Sequence, residues 1–598
     1  MRLVDLSLKL FNVVPTSHCP LPANAHVDFI TGIIIAQDAC WAKHDILKFL
    51  DYKRLSGEDL NKSWHSTWSN VDSTSKVSIT STIMGYLNGL GAKLNKEIQV
   101  PSEVLGIEDL GIKFVTVQAV PESELVTRAL NMLQSGIALK RQTITDLFDI
   151  LSAVDYQWTG KEDIRNKEAI IILADRHKVY PNDPVDVLRY TVFKATESTM
   201  LIKSDSTVEK IKESAFSPTD AFGACGEARM AEVFNRFKPL FLAYKSGGNS
   251  DTKKMINRIA KLSKTKHKPL PVNALSEVTS RALKSEDLHW LKNATPFALF
   301  KALQACYTRM NNSRTIFAYH IRNGKSWYKE ADNKTDTVDI NYNFNLIANE
   351  LQSRVNTEGH KIFIPEGIEY ALPTSEKMMV GNVPTGTKFT ANQVAAGIYW
   401  ENSWGARDLD LSSIDVSGNK VGWDSCYTGQ HSAIKYSGDI TDATNGAVEY
   451  INVSSELKNA TMVLNNVYFG EDDCKYKVIV GKGANISDKY MQDPGKVWVD
   501  EHTQSVKKES IIGLFLPEEG DKVSFVMLNT ACGTGSAASG NEHTIKFNKA
   551  MVEQYSNQFT LNLLLKYIGF ELTDQVDDAT IDLSLDSLER DTFVKLFS

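Results

Sequence analysis

The sequence has no run of eighteen or more apolar residues, which excludes an apolar helix of membrane-spanning length; the longest early patch, FITGIIIA at 29–36, is too short. The opening MRLVDLSLKLFNVV lacks the charged, apolar and small-residue succession of a secretory signal, so a cytoplasmic location is expected. Cysteines are few and scattered: Cys19, Cys40, Cys225, Cys306, Cys426, Cys474 and Cys532 stand singly, with no CxxC. An odd, dispersed set reads as reduced thiols and not as a disulfide framework. The group His18, Cys19, His26, Cys40 and His44 contains one close pair, in CWAKH, where a zinc site usually shows two, so it reads as structural. GxSxG, HExxH, kinase and Walker patterns are all missing, and twelve dispersed histidines name no catalytic role, so no enzyme is read from these residues. ACGTGSAASGNEH at 531–543 is glycine-rich but lacks the lysine of a phosphate loop. It runs into TIKFN, which looks like a strand, and is expected to be a loop between strands.

What is present is a long chain of ordinary globular composition, 598 residues with 42 % hydrophobic and 23 % charged. That length exceeds one hydrophobic core and predicts two to four domains. Charge is divided unevenly. Residues 1–330 carry 44 Lys and Arg against 35 Asp and Glu, a net of +9; residues 331–598 carry 22 against 38, a net of −16, giving −7 overall. Such asymmetry suits halves with different partners, or halves that attract one another.

The patterning predicts an α+β protein: a mainly helical N-terminal half, then an antiparallel β-sandwich, then a short C-terminal helical segment. Over 1–330, SELVTRALNMLQSGIALK places Leu125, Ala129, Leu130 and Leu133 at helical spacing. DPVDVLRYTVFKAT starts with Asp183 as cap and Pro184 at the first helical position. LSGEDLNKSWHSTW opens with a capping-box-like Ser56 and Asp59. Few strand-like alternations interrupt this half. Residues 331–394 are a mixed linker region with a helical stretch, FNLIANELQSRV. From 395 to 550, short runs such as AAGIYWENSW, GAVEYINV, YKVIVGK and KVSFVMLNT, separated by Gly, Asn, Asp and Ser, read as sandwich strands. FNKAMVEQYSNQFTLNLLLKYIGFEL at 547–572 reads as a closing helix, and 551–598 as that helix with an acidic tail.

Aspartates concentrate in the β region. RDLDLSSIDVSGNKVGWDS at 407–425 and YSGDITDATNGAVEYINV at 436–453 hold Asp408, Asp410, Asp415, Asp424, Asp439 and Asp442. Strand alternation puts Asp408, Asp410 and Ser412 on one face, where like charges need solvent or a cation. An all-oxygen donor set on irregular loops suits Ca²⁺ and not zinc, which prefers Cys and His. The competing reading is that turn aspartates bond their own backbone, the role expected of Asp415 and Asp424. The order DLDLS … GNK … SGDITDATNGAVEYINV resembles the TerD-like domain of tellurite-resistance and stress-response proteins, closely over 395–485 and loosely to 550. The resemblance implies a calcium-binding β-sandwich with ligands at Asp408, Asp410, Asp439, Asp442 and Glu449. It further implies a non-enzymatic binding or scaffold role in a bacterial or phage stress-response or defence system. The second loop holds fewer acids than the family pattern, so one ion and not two is expected.

A second function class comes from the helical half. DTKKMINRIAKLSKTKHKPLP at 251–271 is the densest basic stretch, with Lys253, Lys254, Arg258, Lys261, Lys264, Lys266 and Lys268 facing away from a Met255, Ile259 and Leu262 stripe. Such a row suits phosphate contacts of a nucleic acid, or is a solvated helix face. The helical half joined to a smaller domain is loosely similar to TROVE-type RNA-binding proteins. A third class is a structural subunit of a large, virion-like assembly, with protein partners or self-assembly.

Overall fold

The computed structural model describes every residue except 23, 29–32, 51–54, 56–58, 63–114, 271–276, 285–286, 311–315, 321–323, 331–336, 484–491, 534–535, 538–540 and 598. The fold is mixed α+β, with helices concentrated in the N-terminal half and antiparallel sheets in the C-terminal part. The chain forms two compact units, residues 126–277 and residues 1–125 with 278–598. The expected 1–330 helical segment is thus divided, its first 125 residues grouping with the sandwich. No described helix is long and apolar enough to cross a membrane.

The 126–277 unit is helical. Its start signals act as written: Asp183 accepts the N–H groups of Val185 and Asp186 with Pro184 at the first position of helix Pro184–Thr196. Val187, Leu188, Phe222, Phe241, Ile256 and Ile259 share one buried core. The basic stretch forms helix Ser250–Lys266, capped by the Asn249 side chain on the Thr252 N–H. Its buried stripe is Ile256 and Ile259, with Met255 and Leu262 partly buried beside it.

In the other unit, the N-terminal residues form a four-stranded sheet in the order Val13–Pro15, Val115–Val120, Ile33–Ile35 and His26–Asp28. The N-terminal half is mainly helical as expected, and these few strands, three of the four only three residues long, show no readable alternation. FNLIANELQSRV is helical as predicted, within Thr337–Gln352.

Two stacked sheets make the sandwich. The larger runs Lys420–Gly422, Ala406–Asp415, Thr461–Gly470, Glu509–Pro517, Val523–Cys532, Lys388–Ala391 and Ile368–Glu369, extended by the hairpin Ile316–His320 and Lys325–Glu330. The smaller runs Thr428–Gly429, Ile434–Tyr436, Ala447–Ser454, Gln393–Trp400, Lys475–Lys482 and Val497–Gln504. Most central strands are buried along both faces, which explains their near-continuous Val and Ile content. One face of the larger sheet is covered by helix Glu542–Ser556: Ile414, Met462, Leu464, Leu514 and Val526 pack with Phe547 and Met551. TIKFN is therefore helical and not a strand, started by Asn541, whose side chain accepts the Thr544 N–H. The closing region is two helices, Glu542–Ser556 and Leu561–Tyr567, and not one.

The smaller sheet carries a strap from far upstream. Leu60, 1 % exposed, sits among Ala395, Tyr399, Val448, Tyr450, Ile479 and Val497. The Tyr450 hydroxyl donates to the Leu60 carbonyl at 2.7 Å, and the Val448 N–H to that of Lys62 at 3.1 Å. Burial of such a leucine contributes about 1.5–3 kcal/mol.

Candidate metal centre

The site forms where one strand of the larger sheet has an open edge. Ala406–Asp415 pairs along its length with Thr461–Gly470, but on its other side Lys420–Gly422 reaches only Ser412, Ser413 and Ile414. Asp408 to Leu411 therefore lie beyond that short neighbour. A β-bulge beside Asp408, between the pairs Asp408–Phe469 and Leu409–Val467, locally twists the strand. Asp408 and Asp410 are almost wholly buried.

Asp439 comes from the other sheet. It follows Ile434–Tyr436 through Ser437 and Gly438, whose φ of 102° is a left-handed backbone that glycine adopts without a Cβ clash. One carboxylate oxygen each from Asp408, Asp410 and Asp439 lies within 4.8 Å of the other two. Ligands at about 2.4 Å from one ion sit at most about 4.8 Å apart, so oxygens this close can share a calcium.

The three acids are short of partners. Among the described residues Asp408 Oδ1 and Asp439 Oδ1 are buried with no hydrogen-bond partner, and Asp410 Oδ2 accepts one long bond, 3.4 Å, from Asn466 Nδ2. Burial, followed by repulsion from Asp439, pushes the Asp408 carboxyl up to about 6. Burial and then Asp408 push Asp410 up to about 7. Burial raises Asp439 as well. Two buried carboxyls and a partly buried third, crowded together with unfilled lone pairs, favour holding protons or a cation. No Cys or His is among them, and the oxygen-only set favours a hard divalent ion.

Glu449 stands behind this group. Fully buried on Ala447–Ser454, it accepts the Leu411 N–H at 2.8 Å, the Tyr436 hydroxyl at 2.8 Å and the Ile440 N–H at 2.9 Å. It thereby ties the aspartate strand, the Tyr436 strand and the Asp439 loop together, and fills the Leu411 donor beyond the short neighbour. Burial raises its pKa well above the usual range; the three donors oppose that and the charge of Asp410 adds to it.

Asp442 points elsewhere. It is exposed and accepts bonds from Asn402, Thr444 and Arg407, the last at 3.1 Å, and these lower its pKa, Asn402 foremost. Asp415 closes its own turn by accepting from the Ser417 and Asn419 N–H groups and the Asn419 side chain. Asp424 pairs with Lys420 at 2.8 Å. Of the five residues implied by the resemblance, the structure brings Asp408, Asp410 and Asp439 together, puts Glu449 behind them and leaves Asp442 on an arginine. Asn466 and Tyr436 were not singled out by the sequence, because only the fold brings them beside the acids.

The seven basic candidates are all exposed in the other unit, and they are not equivalent. Arg258 clasps Glu227, Lys268 pairs with Glu232 at 2.9 Å and Lys254 lies 3.6 Å from Asp251. Lys253, Lys261, Lys264 and Lys266 have no acid within ion-pair distance among the described residues. One further polar chain is internal: the His320 ring bonds the Ser326 hydroxyl and, at 2.6 Å, the Tyr555 hydroxyl, and burial pushes its pKa down to about 4. Ser326 is wholly buried and its hydroxyl continues the chain to Thr530, so the chain runs from a partly buried histidine into the core. No family model, curated protein or solved structure matches the chain.

Proposed function

We propose that this protein is a non-enzymatic, calcium-dependent binding or scaffold protein, its sandwich a TerD-like domain holding one ion at Asp408, Asp410 and Asp439. The observation that carries the reading is three carboxylate oxygens within 4.8 Å of one another, two of the acids keeping a buried oxygen without a partner. Glu449 positions the two halves of the centre, and Asp442 is a loop tie. A cytoplasmic stress-response or defence setting, bacterial or phage, rests on the resemblance of DLDLS and SGDITDATNGAVEYINV alone. The test is thermal unfolding of the full chain with calcium and with chelator. Calcium at 100 times its Kd stabilises the fold that binds it by about 2.7 kcal/mol. Asp408→Asn combined with Asp439→Asn removes that rise, and an unchanged unfolding curve at millimolar calcium refutes the reading.

Lys253, Lys261, Lys264 and Lys266, exposed on one helix and without an ion-pair partner among the described residues, favour a second reading, nucleic-acid binding by the 126–277 unit. If all four meet phosphates, log K falls with log salt with a slope of about −3.6 on duplex DNA and about −2.8 on single strands. Lack of binding at low salt disposes of it.

A further inference from the structure

Three carboxylate oxygens fill only part of a calcium shell of about six to eight. Asp408 and Asp410 are closed in, whereas Asp439 is only partly buried, so solvent reaches the centre from the side of its loop. Exposed rings flank the aspartate strand and the Asp439 loop. Tyr427, Tyr468 and Phe469 are 42 %, 60 % and 64 % exposed, and they are the only large apolar side chains so exposed among the described residues of 393–532. Phe469 is the ladder partner of Asp408, and Tyr468 is the extra residue of the bulge beside it. Tyr427 lies against the Asp439 backbone and packs on Tyr436, ring centres 5.1 Å apart. From the opposite side of the aspartate strand, Trp423 meets Tyr468 edge to face at 5.6 Å. Among the described residues, the sandwich thus places every strongly exposed ring of this stretch on or next to the elements that carry its three converging aspartates.

The surrounding charge selects among ligands. A divalent ion among three carboxylates leaves the centre one negative charge. Asp424 adds its charge to Asp410, and Lys420 and Arg407, the basic side chains next to the strand, are bound to Asp424 and Asp442. A phosphate or an anionic membrane meets repulsion here. A neutral ligand with adjacent hydroxyls does not: two oxygens replace water on the ion, while polarised C–H groups lie on the electron-rich face of a ring. We propose that the calcium centre and its aromatic rim, Tyr427, Tyr468 and Phe469, bind a carbohydrate through a vicinal diol.

This rests on the calcium reading, and the experiment separates the two. The full chain is titrated with calcium, then presented with an array of immobilised glycans and, in solution, methyl α-mannoside, methyl α-galactoside and methyl α-fucoside, each with calcium or chelator. Phosphatidylserine vesicles form a second arm. The expected result is glycan binding that chelator abolishes. Tyr468→Ala with Phe469→Ala weakens it about tenfold or more, leaving calcium affinity unchanged, and Tyr468→Phe retains it. Calcium binding with no glycan bound overturns the carbohydrate assignment and leaves the metal centre standing. Calcium-dependent binding to the vesicles in place of glycans overturns it too. Absence of calcium binding overturns both.

Discussion

Calcium should expel about one proton per ion near pH 6.5 and almost none near pH 8.5. The acids facing Asp408 and Asp410 are Asp439, Asp424 and Glu449, and Arg407 is the cation that acts on Asp408. Burial and this repulsion hold Asp408 up to about 6 and Asp410 up to about 7. At pH 6.5 those values leave roughly 0.24 of a proton on Asp408 and roughly 0.76 on Asp410, and about 0.03 on the two together at pH 8.5; the raised Asp439 adds to the release in the same direction. A bound cation needs both carboxylates ionised, so those protons leave on binding. The same values tighten apparent calcium affinity roughly twenty-fold between pH 6 and pH 8. Stability moves the other way without the ion. Folded pKa values raised above the unfolded ones mean that the empty fold binds more protons than the unfolded chain between about pH 4 and about pH 7. It therefore loses stability as pH rises through that window, and calcium removes the loss. Isothermal titration in buffers of different ionisation enthalpy measures the proton count as a slope. Saturable calcium binding at pH 6.5 with a slope of zero would refute the raised carboxyl pKa values on which this proton count rests.

Three other outcomes follow from individual contacts. Glu449→Gln puts an amide donor against a hydrogen-bond donor, since N–H and O–H groups point at both of its oxygens; it should cost about 1–3 kcal/mol in urea unfolding and weaken calcium binding. Asp442→Asn should leave calcium affinity unchanged and cost under about 1 kcal/mol, because only an exposed ion pair with Arg407 is lost. Leu60→Ala should destabilise the fold by about 2–4 kcal/mol, read by denaturant midpoint, because that side chain is buried against the smaller sheet.

The sandwich was legible because its strands are rich in β-branched residues and cut by turn residues, and the α+β class followed from that contrast with the amphipathic helices upstream. The convergence of Asp408 with Asp410 was legible from their spacing, and that of Asp439 only through the resemblance. Asp442 was not separable from them in sequence: its capture by Arg407 and Asn402 depends on a loop whose partners lie about 35–40 residues away. Glu449 read as a ligand because its positioning role exists only where two sheets meet over Leu411. TIKFN misled because local alternation suggested a strand, whereas burial of Phe547 and Met551 on the larger sheet selects a helix. The strap at Leu60 and the grouping of 1–125 with 278–598 rest on contacts across hundreds of residues, which no local pattern encodes.

The central claim is tested most directly by equilibrium calcium binding to the full chain and to Asp410→Asn. One saturable site per chain, lost in the variant while its helical and sheet content is retained, is the predicted result. No saturable binding in the unaltered protein, or the same binding in Asp410→Asn, would contradict the account.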